Sequence, residues 1–144
     1  MAKLTQSRAA QTVLVQEYVF SFGDTVVDTA GASKNFYAFG GDPQFDMFRM
    51  PVGAVVLGGD VIVETAYVGP TAATLSVGDS GSATKYANAV SLLANARTAL
   101  TIPAGVTSGL DIVGKLTLTV ADATAGKVRV RVMYTIEGRG NEVA

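Results

Sequence analysis

Two runs near the end of the chain constrain its fold more than anything else in it. From Lys115 to Val120, Leu116, Leu118 and Val120 alternate with Lys115, Thr117 and Thr119. From Lys127 to Ile136, Val128, Val130, Val132, Tyr134 and Ile136 alternate with Lys127, Arg129, Arg131, Met133 and Thr135. A period of two is the signature of a strand with one buried face. The link from Ala121 to Gly126 is short enough to join the two runs as a β-hairpin. The outer face of that hairpin is basic, with Lys115, Lys127, Arg129 and Arg131 either offered to an acidic partner or guarding a sheet edge.

The rest of the chain reads the same way. Val13 to Phe22 is a strand with Leu14, Gln16, Tyr18, Phe20 and Phe22 on one side and Val13, Val15, Glu17, Val19 and Ser21 on the other. Both sides are largely apolar, which suits a strand covered on two faces, by a second sheet and by an arm or a partner subunit. Phe36, Tyr37 and Phe39 precede a turn at Gly40, Gly41, Asp42 and Pro43. From Phe48 to Ala83 two apolar stretches flank Gly69-Pro70, with a kink expected at Gly58-Gly59; Asp60 to Val68, rich in Val, Ile, Thr and Tyr, is the strongest β segment. The one helical spacing is Tyr86, Val90, Leu93 and Arg97, predicting a short helix or helical loop over Ala87 to Arg97. Residues 1–12 carry Lys3 and Arg8 and read as an extended arm, which at 3.3 to 3.6 Å per residue reaches up to ~40 Å. The expectation is an arm (1–12) and one all-β domain (13–144), a jelly-roll-like β-sandwich with one short helix.

Composition removes most chemistry. The 144 residues contain no histidine and no cysteine, so the commonest general base, thiolate metal ligands and disulfides are all absent. The Gly78-Asp79-Ser80-Gly81 cluster looks like a serine-protease nucleophile loop, but a triad needs an imidazole, and a Ser80–Lys85 dyad is far less common than a tight turn of these residue types. Asp60, Asp79 and Asp122 do not fall in a dense alternation of oxygen ligands, so no metal site is expected. A net charge of −1 argues against a nucleic-acid partner. No apolar run reaches the ~20 residues of a membrane span, and Gln11, Thr12, Gln16 and Glu17 interrupt any signal-like core, so a soluble protein made in a cytoplasm is expected. No catalytic, cofactor or metal residue is predicted.

At Phe48 to Tyr86 the sequence is more distinctive. Met50-Pro51 followed by Gly53-Ala54-Val55-Val56-Leu57, a Val-rich strand ending in Thr65-Ala66-Tyr67, then Thr74-Leu75-Ser76-Val77-Gly78-Asp79 and Ser82 to Tyr86, resembles a pattern in small structural proteins of tailed bacteriophages. The resemblance covers the central third of the chain and, more loosely, the C-terminal third. Length, glycine-rich β composition and lack of chemistry are most similar to head cement, or decoration, proteins. That resemblance implies a non-enzymatic virion protein on the outer surface of the head, pairing as a dimer and binding the major capsid protein without cofactor, membrane or small-molecule substrate. The contacts expected are the arm with Lys3 and Arg8, the basic face with Lys115, Arg129 and Arg131, and the aromatics Phe36, Tyr37 and Phe39, although such aromatics pack in cores more often than they anchor interfaces. The competing readings are a tail or neck component and a carbohydrate-binding jelly roll of a host-recognition fibre. The absence of tryptophan counts against the last.

Overall fold

In the computed structural model, which describes residues 13–38, 40, 42–103 and 111–136, the chain forms ten strands. They are β1 (Leu14–Ser21), β2 (Thr25–Val27), β3 (Ser33–Asn35), β4 (Gln44–Phe48), β5 (Ala54–Val68), β6 (Ala72–Asp79), β7 (Ala87–Ser91), β8 (Arg97–Ala99), β9 (Ile112–Thr119) and β10 (Ala125–Ile136). Eight of them make two four-stranded sheets, ordered β1-β10-β5-β8 and β4-β9-β6-β7, and β2 with β3 forms a separate hairpin. Every pairing is antiparallel.

The nesting of the pairs defines the fold. β6 pairs with β7, β5 with β8, β4 with β9 and β1 with β10, as if the chain were folded double at the β6–β7 turn and rolled up. That is a jelly-roll sandwich. Because Leu14 lies opposite Tyr134, both ends of the described chain leave from the same end of one sheet.

Alternation fills the core. Val128, Val130 and Val132 of β10 and Val61 and Val63 of β5 are buried in one sheet; Leu75 and Val77 of β6 and Leu116 and Leu118 of β9 are buried in the other. Each such side chain contributes roughly 1.5–3 kcal/mol when fully removed from water. An aromatic group closes the end near β1. Phe20 stacks on Phe36 at 4.4 Å, and Phe45 meets Phe36 and Phe20 edge-on at 5.0 and 5.8 Å. Phe36 follows β3 directly, so this stack pins the small hairpin to the sandwich.

Two expectations are corrected and a third is refined. The runs at 115–120 and 127–136 are not a hairpin: β9 lies between β4 and β6, β10 lies between β1 and β5, and the link between them crosses from one sheet to the other. Alternation dictates which face a strand buries and leaves its neighbour open. The kink expected at Gly58-Gly59 does not end β5, which is continuous over 15 residues, but its pairing with β10 is irregular beside Gly58, where Met133 and Tyr134 face Gly58 and Val56. A Cβ at Gly59 would sit 2.2 Å from the Arg131 carbonyl oxygen, so the glycine admits the close approach of β10. Nor is there a helix at Ala87 to Arg97. Ser91 pairs with Thr74 in one sheet and Arg97 with Ile62 in the other, because β6 and β5 each offer an open edge. Ladder pairing outweighs a helix of about 11 residues, which is marginal alone.

The expected arm, residues 1–12, lies outside the described residues. At β4 a register irregularity between Asp46 and Phe48 turns both Met47 and Phe48 inward, which strict alternation along that strand would not allow.

Candidate functional site

The outer face of the β1-β10-β5-β8 sheet carries a row of ionic contacts built by strand register. On β10, Arg129 and Arg131 stand on the face opposite Val128, Val130 and Val132, across from Ile62 and Asp60 of β5. Glu64 lies two residues from Ile62 and therefore on the same side. Arg129 donates from Nε to Glu64 at 2.6 Å and from Nη1 to Glu17 of β1 at 2.8 Å, and Lys127 reaches Glu64 at 3.3 Å.

Asp60 is the centre of a second group. Arg131 donates to both its oxygens, from Nε at 2.9 Å and Nη2 at 2.7 Å, a bidentate grip. Arg97 of β8 approaches the same Oδ2 with Nε at 2.6 Å. Two guanidinium groups thus cover one carboxylate, which explains how Asp60 is only 4% exposed on an outer face. The hydrogen bonds from Arg131, and after them Arg97, hold the Asp60 carboxyl below the usual aspartate range against the opposing effect of burial. Arg129 does the same for Glu64, and both β10 arginines are pushed further up in return.

Beside this group is a pocket of about 290 Å³, lined by Val15, Gly59, Asp60, Arg97, Arg131 and Met133. Val15 and Met133 are direct cross-strand partners, and both are substantially exposed. The outward side of β1, expected to be covered, shows Val13, Val15 and Val19 at the surface.

The expected contact residues do not form one surface. Lys115 stands on β9 in the other sheet, exposed, opposite Gln44 and Ser76, so it shares no face with Arg129 and Arg131. The single basic face predicted for the end of the chain is corrected accordingly: its β10 half is neutralised by Glu17, Glu64 and Asp60. Phe36 is buried in the aromatic stack, Tyr37 is 38% exposed beyond it, and Phe39, Lys3 and Arg8 lie outside the described residues. Glu64, Arg97, Val15 and Met133 carry no signal as site residues in the sequence, and Asp60 is weighed there only as a metal ligand. The spacing Asp60-x-Ile62-x-Glu64 against Lys127-x-Arg129-x-Arg131 is complementary, but it becomes legible only once β5 is known to pair with β10.

The loop from Ser80 to Tyr86 holds a structural ion pair. Asp79, 1% exposed, accepts hydrogen bonds from the backbone of Gly81 and Ser82 and from Lys85 Nζ at 2.7 Å. Burial raises the Asp79 pKa, but Lys85 and the backbone donors outweigh it and leave the carboxyl below its usual range. The Lys85 pKa is raised by that contact, so this amine is held as the charged partner of Asp79. Among the described residues no three His, Cys, Asp or Glu side chains cluster to hold a metal ion, and no helix is long and apolar enough to cross a membrane.

No protein-family model and no curated protein sequence matches the chain. Among solved structures it is similar to a chain of the cyanophage Pam1 capsid asymmetric unit. The two are 25% identical, with a TM-score of 0.59, and the alignment covers 94% of this chain and 99% of the other.

Proposed function

We propose that the chain is a non-enzymatic structural protein of a phage virion that binds the outside of the capsid and clamps neighbouring major capsid protein subunits, as a cement protein does. The observation that carries this reading is the end-to-end likeness to a chain of a capsid asymmetric unit, with nearly the whole of each molecule aligned. A capsid asymmetric unit contains the chains that repeat with the shell, so the likeness favours a lattice component over a fibre module. The architecture agrees with the role. The jelly roll is filled by its own side chains, and its outer face offers ionic and apolar contacts. A contact repeated across a lattice needs only modest affinity per copy. Pairing as a dimer, the arm as a contact and the outer surface of the head as the location belong to the same proposal.

The test is co-sedimentation of the purified protein with expanded heads, unexpanded proheads and tails of the cognate phage. Saturable binding to expanded heads alone is the expected result and gives the copy number. Binding to tails or to surface glycan but not to heads overturns the reading.

A further inference from the structure

We propose that the pocket between β1, β10, β5 and β8 is a docking site for an acidic peptide segment of the capsid shell, one carboxylate gripped by Arg97 with an apolar neighbour seated on Val15 and Met133. This rests on the virion reading above and names the chemistry of the partner's contact. Charge is the first argument. Among the described residues, four cations on this outer face, Arg97, Lys127, Arg129 and Arg131, meet three carboxylates, Glu17, Asp60 and Glu64. The unmatched cation is at the pocket, where Asp60 alone serves both guanidinium groups.

Donor geometry is the second. Arg97 uses only Nε toward Asp60, and its side chain is 68% exposed; both its Nη atoms face no carboxylate among the described residues. Arg131 Nη1 makes no ion pair after the bidentate contact, although Glu17 stands across from Arg131 on β1. A planar pair of unused N–H donors matches an incoming carboxylate. Asp60 meanwhile fixes the Arg97 head from below, so less rotamer freedom is lost on binding.

The wall is the third. Val15 is 55% exposed and Met133 40% exposed, side by side on neighbouring strands. An apolar ledge next to an unmatched guanidinium suits a glutamate or aspartate flanked by an apolar residue, whereas free phosphate would leave that ledge wet. Methionine adapts to irregular partners, as binding surfaces require.

The experiment has two readouts. Head binding is compared for the wild type, Arg97→Gln and Val15→Glu, with thermal melting as a check; Arg97→Gln keeps the Asp60–Arg131 grip and is expected to melt as the wild type. Separately, the Arg97 and Arg131 Nε–H NMR signals are followed while acetyl-Val-Glu-Val-amide, its Gln counterpart or inorganic phosphate is added. The expected results are about 10-fold weaker head binding for both variants, and signal shifts with the Glu peptide exceeding those with the Gln peptide or phosphate. Wild-type binding to heads with both variants unchanged overturns the docking site and leaves the cement reading standing. Equal shifts with the Gln peptide, or stronger ones with phosphate, overturn the carboxylate assignment. If the wild type fails to bind heads the cement reading falls, and with it the capsid partner.

Discussion

Asp60 and Asp79 show the same carboxylate chemistry used for different ends. Asp79 is enclosed by its own loop, with backbone donors and Lys85 filling its acceptors; Asp60 is shared by arginines from two neighbouring strands. Both are held below the ordinary aspartate value of 3.8, and Glu64 below the glutamate value of 4.5. Such groups bind fewer protons folded than unfolded, so their contribution is complete above the unfolded values and lost as pH falls through the folded ones. The melting temperature is therefore expected to be nearly flat from pH 7 to about 5 and to drop below about pH 4. Asp79→Asn should cost about 1.5–3 kcal/mol at pH 7 and make the acid-side fall shallower, measured by thermal melts across pH. An equally steep fall in the variant would remove Asp79 from the account.

At the scale of strands, β9 is closely packed against β4. Gly114 lies opposite Phe45, and a Cβ there would come within 3.0 Å of the Met47 sulfur and the Phe45 ring tip. Gly114→Val is expected to destabilise by about 1–3 kcal/mol through overpacking, read as a lowered denaturant midpoint, while Lys115→Thr next to it should be nearly neutral. These elements also mark where the sequence was legible. The inward set of β10, Val128 to Tyr134, is plain from alternation, since a one-residue slip would expose all of it. That β9 and β10 sit in opposite sheets was not, because two adjacent alternating runs satisfy a hairpin equally well. The helical spacing of Tyr86, Val90, Leu93 and Arg97 misled for the reverse reason: open edges of β5 and β6 captured a segment whose local preference was weak.

For the molecule as a whole, the nested pairing makes the jelly roll a fold of long-range contacts, from Leu14 with Tyr134 inward to Val77 with Ala87. The all-β class and the sandwich followed from strand spacing and turn residues, and the virion reading from the stretch Phe48 to Tyr86. The ionic row was hidden because it spans four strands more than 30 positions apart, joining Glu17, Asp60 to Glu64, Arg97 and Arg129 to Arg131. At this scale the arm is also testable. Deleting residues 1–11 should leave the melting temperature unchanged and weaken head binding in co-sedimentation; unchanged binding would remove the arm from the mechanism.

The adjacency of Leu14 and Tyr134 has a mechanical meaning. Tension applied between the two ends of the described chain pulls β1 from β10 at the end where both leave the sheet, so the ladder opens one rung at a time, like a zipper. Loads entering across the sheet faces are instead spread over the whole interlocked core. A molecule of this wiring yields more readily to a pull between Leu14 and Tyr134 than to a load that squeezes the two sheets together.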